Sequence, residues 1–345
     1  MAVTRITQNA TNRMYGRNFN RNLNAMTDMM NKISAQRKFV RASENPISAA
    51  RALAVRKNMV RTDTQQANLN SAEGILNVAE STLREEVNDE VKDIITRIET
   101  AINTTYSQEE LNIMGVELRT IADGLIKSMN IDYGDRQLFG GTNNSELAFT
   151  TSLDADGRTI VNYNGVNVNS YDVPWDFPSS DPIFTDVGYG IEYDDNGNII
   201  PDSAMDLSLN GAELLGCGTA TFKNENGDQY RLSNNVIQLV YDAAVACEQG
   251  DRDKLNAMLD GFNSAHSNLL KGITNIGIKQ SSIEYAKTRL DEYEYNLSAA
   301  QLELEGMSEQ DLAEAITEYS SVEAAYSAVL QMGTSVIPSS IWDFM

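Results

Sequence analysis

Histidine and cysteine, the side chains that most often carry out chemistry or bind metals, are scarce in this sequence. His266 is the single histidine, which excludes an H-E-x-x-H metal site because that motif needs two. Cys217 and Cys247 are the two cysteines, too few for a disulfide framework, and we interpret them as small packing thiols. The chain also lacks the glycine-rich phosphate loop and the G-x-S-x-G nucleophile motif.

Acidic side chains in the middle of the chain are the remaining candidates for chemistry. The segment Asp154-Ala155-Asp156-Gly157 resembles the start of a calcium loop, but the later bidentate acid is missing, which favours a hairpin turn. Glycan hydrolysis would need a carboxylate pair, and the other acids show no such arrangement. The sequence therefore predicts no catalytic, cofactor-binding or metal-binding residue, and a protein that is not an enzyme. These other acids are Asp176, Asp181, Asp186, Glu192, Asp194 and Asp195.

The N-terminal region predicts long helices. An apolar stripe with steps of four and three residues is typical of a coiled-coil seam, and it predicts a helix from about residue 5 to about residue 40. A break follows at residues 43–46, where Asn45 suits an N-cap and Pro46 suits the first helical position. A second helix should run to Ile102, and Ser107 with Glu110 has the form of a capping box for a third. The seam residues are Phe19, Leu23, Met26, Met30 and Ile33.

The C-terminal region predicts helices as well. From Phe262 onward an apolar residue recurs at every seventh position, through Leu290, Leu297 and Leu304, which indicates one long helix with a packing seam. Gly306 predicts a break, and a last apolar stripe follows. This stripe consists of Leu312, Ala315, Tyr319, Val322, Tyr326 and Val329.

The middle of the chain differs in kind from both ends. It contains five Asn-Gly or Asp-Gly pairs, which supply the positive φ angles of tight hairpins, and residues 159–163 have the composition of a strand. We therefore predict a mainly α fold in which long antiparallel coiled-coil helices come from both termini and a small, hairpin-rich outer domain is inserted. The predicted domains are residues 1–42 with 305–345, residues 43–139 with 233–304, and residues 140–232. The five pairs begin at Asp156, Asn164, Asn196, Asn210 and Asn226.

Charge is distributed unevenly along the chain, whose net charge is −22. Residues 1–61 contain 12 basic and 2 acidic side chains (12 − 2 = +10), whereas residues 282–345 contain 2 basic and 12 acidic ones (2 − 12 = −10). Opposite charges at the two ends predict that the ends lie side by side and antiparallel, within one subunit or between neighbouring ones, with Arg13, Arg17 and Arg21 near acids of the last helix. A nucleic-acid-binding coiled coil is a remote alternative interpretation of the basic end.

Three segments resemble the bacterial flagellin family. Residues 9–26, residues 41–53 and residues 311–318 are similar to the conserved terminal stretches of that family, and the resemblance covers roughly residues 1–140 and 235–345. It implies a flagellin-like fold and a structural subunit of the flagellum. The positions that carry the family motif are Ser43, Pro46, Ala50, Asp311, Ala313 and Ile316.

Within that family, further segments are similar to the members that join hook to filament. These segments are residues 137–142, Phe149, residues 163–165 and the tail at 341–345. The resemblance implies a ring layer between hook-associated protein 1 and flagellin, contact with copies of the same chain, and an export chaperone before secretion. It implies an extracellular location at the hook–filament junction, reached without a cleaved signal peptide. A filament-forming flagellin is the alternative within the family. No cofactor, nucleic acid or membrane insertion is expected.

Overall fold

A computed structural model describes most of the chain. The tail segment at 341–345 and Pro338 lie outside the described residues. Among the residues that are described, none of the helices carries an apolar stretch long enough to cross a bilayer. The described residues are 8–103, 106–134, 136–143, 146–186, 188, 190–200 and 203–336.

The fold is mainly α, with small antiparallel sheets between the two halves of the helical part, as predicted. The helices are α1 (Gln8–Ala35), α2 (Pro46–Ser81), α3 (Asn88–Asn103), α4 (Gln108–Met129), α5 (Gly211–Leu215), α6 (Val236–Gln249), α7 (Arg252–Glu305) and α8 (Glu309–Val336).

The strands are short and pair only with near neighbours in sequence. β1 pairs with β2, β3 with β4, β4 with β5, β6 with β7, and β8 with β9, all antiparallel. The strands are β1 (Asp132–Tyr133), β2 (Arg136–Gln137), β3 (Phe149–Leu153), β4 (Thr159–Tyr163), β5 (Val166–Asn167), β6 (Phe184–Asp186), β7 (Ala204–Asp206), β8 (Thr219–Lys223) and β9 (Gln229–Ser233).

Local capping signals place the starts of the N-terminal helices. The side chain of Asn45 accepts a hydrogen bond from the Ser48 amide at 3.1 Å, one turn into α2. Ser107 and Glu110 form the expected capping box of α4. Residues 46–103 are helical throughout, and a π-helical turn at Thr82–Val87 separates α2 from α3. The sequence pattern did not indicate this π turn.

Most of the predicted hairpin turns are present. The glycines of four pairs have positive φ angles, and the turns connect β3 to β4, β4 to β5, Tyr193 to Ile199, and β8 to β9. The prediction for the pair at Asn210 was wrong. The Asn210 side chain accepts a hydrogen bond from the Ala212 amide at 2.9 Å and caps α5, because asparagine serves an N-cap as well as a turn.

The chain divides into two compact units at places that differ from the predicted boundaries. The terminal unit comprises residues up to 63 and from 291, and the central unit comprises residues 64–290.

The segment 140–232 is not separate from its neighbours. Phe149, Val161 and Tyr163 share one buried core with Leu118 and Leu239 of α4 and α6. Within the central unit, α2 and α7 run antiparallel, with Lys287 bound to Glu73 at 2.8 Å and Gln280 to Asn77 at 2.9 Å.

Gln238 connects α6 to the sheet and provides a test of this shared core. Its side chain accepts from the Val161 amide at 2.8 Å and donates to the Thr159 carbonyl at 3.1 Å, and it is buried. Gln238→Ala leaves that buried amide without an acceptor, so we expect the free energy of unfolding to fall by about 2–3 kcal/mol. Chemical denaturation of the purified chain measures this. Gln280→Ala, at a half-buried site, is the matched control and should cost less than about 1 kcal/mol. Equal effects of the two changes would contradict the shared core.

Candidate assembly interface

In the terminal unit, α1 and α8 pack against each other in antiparallel directions. The rings of Phe19 and Tyr326 lie 5.4 Å apart, and Tyr15 stacks on Phe19 at 6.3 Å. Closer to the start of α1, the Tyr15 hydroxyl occupies the space that a Cβ atom would need at Gly333 of α8. At the other end of the pair, Lys38, just after α1, binds Asp311, near the start of α8, at 3.4 Å.

The predicted seam residues of α1 differ in their exposure. Phe19, Leu23, Met26 and Ile33 are half-buried in the single chain, whereas Met30 is 57% exposed and Met29 lies inward instead. Met30 therefore lies outside the contact between these two helices, and its place in a seam between subunits stays a prediction. Steps of four or three residues from Met26 are both compatible with a heptad, and the sequence cannot choose between adjacent methionines.

The predicted residues of α7 and α8 point inward, though to different degrees. Leu290 and Leu297 are buried, and Leu304 is half-buried. The α8 positions are half-buried because a single neighbouring helix covers only part of an apolar stripe. These half-buried positions are Leu312, Tyr319, Val322, Tyr326 and Val329.

Two turns bind each other where α1 ends and α8 begins, and we name this contact the turn clasp (residues 36–39 and 305–308). The Lys38 amide donates to the Glu305 carbonyl at 2.8 Å, and the Met307 amide donates to the Gln36 carbonyl at 2.9 Å. Gln36 has a positive φ of 51°. Backbone bonds carry no sequence signature, so sequence reasoning missed the clasp. It fixes the axial register between the two terminal helices.

Family-motif residue Asp311 caps α8 beside the turn clasp. Its carboxylate accepts from the Ser308 amide at 2.9 Å and from the Ser308 hydroxyl at 2.8 Å, while the Asp311 amide donates to that hydroxyl at 3.1 Å. These bonds to Ser308 are the main cause that lowers the pKa of Asp311, and Lys38 contributes. The other motif positions show no such role: Ser43, Pro46, Ala50, Ala313 and Ile316 are exposed.

Ion pairs surround the turn clasp rather than running along the helices. Arg56 of α2 binds the buried carboxylate of Glu305, and Lys32 binds Glu44 at 2.9 Å. The hydrogen bond from Lys32 is the main cause that lowers the pKa of Glu44. Arg41 binds Asp28 at 3.1 Å.

The specific charge pairing predicted along α1 and α8 is not present within the chain. Among the described residues, no ion pair joins an arginine of the set 13, 17 and 21 to an acid of α8. The opposite charges meet instead at the clasp, where Lys38 binds Asp311. The helix contact itself is apolar and aromatic, so exposed charges farther along α1 remain in solvent.

The terminal unit also carries large apolar side chains that are mostly exposed among the described residues. On α2, Leu53 and Val60 are 68% and 64% exposed, and they lie seven residues apart on one face. On α7, Tyr295 and Leu302 are 76% and 68% exposed and again lie seven residues apart. We name these four residues the outer stripes. Exposed apolar side chains of this kind are candidates for a contact surface. Among the described residues, no group of acids, cysteines and histidine could hold a metal ion.

The capping contact at Asp311 predicts a measurable titration. Its folded pKa lies below the ordinary value of 3.8, so its contribution to stability is present above that value and is lost as pH falls through the folded pKa. Ser308→Ala should raise the Asp311 pKa toward the ordinary value, as followed by NMR of the carboxyl carbon. Ser320→Ala, whose hydroxyl bonds to Ile316 in the middle of α8, is the control and should leave the pKa unchanged. An ordinary pKa in the wild-type chain would refute the capping role.

Comparison with known proteins identifies this fold. No protein-family model and no curated protein sequence matches the chain. Solved structures do match, and three of them are described here. A Vibrio parahaemolyticus protein described as a flagellar hook-associated protein matches with a TM-score of 0.58 and 17% identity, over 76% of this chain and 99% of that one. Bacillus cereus FlgL matches with a TM-score of 0.50 and 20% identity, over 72% and 99%.

The third structure is the flagellar junction protein FlgL from Legionella pneumophila. It matches with a TM-score of 0.50 and 11% identity, over 74% of this chain and 100% of that one. All three are therefore spanned almost completely, although their sequences are distant from this one. The chain has the fold of flagellar hook-associated and junction proteins.

Proposed function

We propose that this chain is a structural subunit of the bacterial flagellum, forming the junction layer between hook-associated protein 1 and the flagellin filament. The observation that carries the proposal is the antiparallel pair of terminal helices, together with the exposed outer stripes of α2 and α7, on a fold shared with the junction protein FlgL. The protein acts by assembly and not by catalysis.

The outer stripes supply the physical reason for assembly. Leu53, Val60 and Leu302 are each about two-thirds exposed in the single chain. Burying one such side chain against a neighbouring subunit contributes about 1.5–3 kcal/mol. Several of them covered at once offset the entropy lost when a subunit is fixed in place. A subunit repeated around a ring covers these surfaces on every copy.

The comparisons favour a junction subunit over a filament-forming flagellin. The structures compared are a hook-associated protein and two FlgL proteins, and this chain spans 99% or more of each. The sequence segments at 137–142 and 163–165 point in the same direction. The partners proposed from this assignment are hook-associated protein 1, flagellin, further copies of this chain, and an export chaperone before secretion. The proposed location is extracellular, after export without a cleaved signal peptide.

Localisation tests the proposal. Asp156→Cys places a cysteine at an exposed position of the β3–β4 turn. The variant is produced in cells in place of their own junction protein. A fluorescent maleimide then labels this cysteine on the intact cells. We expect one focus per flagellum, at the boundary between hook and filament. Label along the whole filament would assign the chain as a flagellin, and label away from flagella would refute a flagellar role.

Two substitutions on α7 separate folding from assembly. Leu302 is exposed, so Leu302→Asp should change the free energy of unfolding by less than about 0.5 kcal/mol and still prevent attachment of filaments. Leu297 is buried, so Leu297→Asp should lower the free energy of unfolding by about 3 kcal/mol or more. Thermal unfolding of purified protein and a swimming assay measure the two effects. Normal filament attachment with Leu302→Asp would show that this outer stripe is not an interface.

A further inference from the structure

Some helical glycines of the central unit have a reason within the chain, and two do not. In α4, a Cβ at Gly115 would lie 3.0 Å from the Ala244 carbonyl, and in α7 a Cβ at Gly272 would lie 2.6 Å from Leu214. At Gly124 of α4 and Gly277 of α7, a Cβ would meet nothing within 4 Å. A glycine inside a helix costs about 1 kcal/mol relative to alanine. The folded chain does not require glycine at Gly124 or Gly277, which points to a close approach from outside the chain.

Gly277 lies in a groove of about 930 Å³ along α7. Ile278, the next residue, and Tyr285, about two turns farther along the helix, are 60% and 71% exposed at its edge. The lining contains three basic side chains and no acidic one; Arg84, Lys279 and Arg289 are the basic ones. Arg84 also binds Glu80 at 2.6 Å. We name this surface the basic groove.

Gly124 lies in a second groove, of about 600 Å³, between the π turn, α3 and α4. Thr120 and Ser128, four residues to either side, continue the same row of small side chains, and exposed Val116 extends the row by a further turn. The wall contains five carboxylates and no basic side chain. We name this surface the acidic groove. The carboxylates belong to Glu85, Glu86, Asp89, Glu90 and Asp93.

We propose that the basic groove of one copy of this chain packs on the acidic groove of the next copy, with Gly277 against Gly124. The inference rests on the proposed function and names the surfaces through which copies meet within a layer. The glycines let the two helix backbones approach closely, since the distance between packed helices is set by the side chains at the contact. The carboxylates of one copy then face Lys279 and Arg289 of the other.

Charge selects this contact over the two symmetric ones. A basic groove against another basic groove would place Lys279 and Arg289 beside their own copies, and two acidic grooves together would face five carboxylates with five. Both arrangements repel, whereas the mixed one attracts. A contact that joins two different surfaces leaves one of each unused at the ends of a pair, so it continues to a ring or helix of copies.

Cross-linking between full-length copies tests the contact. Gly277→Cys and Gly124→Cys are prepared as separate proteins, mixed at high concentration and oxidised mildly. We expect a disulfide-linked dimer in the mixture and none in either protein alone, because a disulfide needs Cα atoms within about 7 Å. The native Cys217 and Cys247 are buried, and the unaltered chain is the control. A mixture without dimer, or a dimer from Gly277→Cys alone, would overturn the proposal.

Charge reversal provides the second arm. Lys279→Glu on the Gly277→Cys copy should lower the dimer yield roughly tenfold, and Glu90→Lys on the Gly124→Cys copy should restore part of it. An unchanged yield would overturn the proposed orientation.

Gly124→Ala and Gly277→Ala should leave the unfolding midpoint unchanged or raised, while Gly115→Ala should lower it, which separates folding from contact. The two proposals can fail separately. If labelled cells show a focus at the junction but the mixed proteins form no cross-link, this contact is rejected and the proposed function stands.

Discussion

The antiparallel contact between α1 and α8 is the interaction on which the terminal unit depends, because in the described part of the chain each helix packs its apolar stripe mainly on the other. An amphipathic helix gains little stability alone, and most of its stability comes from burying that stripe. Phe19 and Tyr326 supply the aromatic centre of the contact, at 5.4 Å. One helix covers only part of the other, so both remain half-buried. This incomplete coverage leaves apolar surface for a neighbouring subunit to cover, which is what the proposed function requires.

The turn clasp determines which residues of the two helices face each other. The Lys38 amide and the Met307 amide hold the two turns together through the backbone, and Arg56 binds the buried carboxylate of Glu305 beside them. Exposed ion pairs contribute little free energy, but a buried carboxylate without its partner costs several kcal/mol. The apolar contact thus supplies stability, while the clasp and the Arg56–Glu305 pair supply register. The opposite charges of the two chain ends form ion pairs at the clasp, and they do not pair along the length of α1 and α8.

Features that depend on a few neighbouring residues could be predicted from the sequence. The start of α2 at Pro46, the capping box at Ser107 and strand β4 at 159–163 follow from local patterns, and the structure confirms them. Met30, the turn clasp and the break at Gly250 between α6 and α7 could not be predicted in the same way. The exposure of Met30 depends on which helix is the neighbour. The turn clasp joins residues more than 260 positions apart, and the break at Gly250 lies between two segments with helical patterns. The family resemblance marked Asp311 without giving a physical reason for an aspartate there. Its hydrogen bonds to Ser308, which cap α8, supply that reason.

We expect assembly to cover the outer faces of the terminal unit. Hydrogen exchange measured by mass spectrometry, on the free subunit and on the same subunit bound to isolated hooks, tests this most directly. Amide exchange reports local opening, which slows where packing is added. We predict that amides of α1 and α8, and those near Leu53 and Leu302, exchange more slowly in the bound subunit. Unchanged exchange in these helices, with slowing confined to the strands of the central unit, would contradict it.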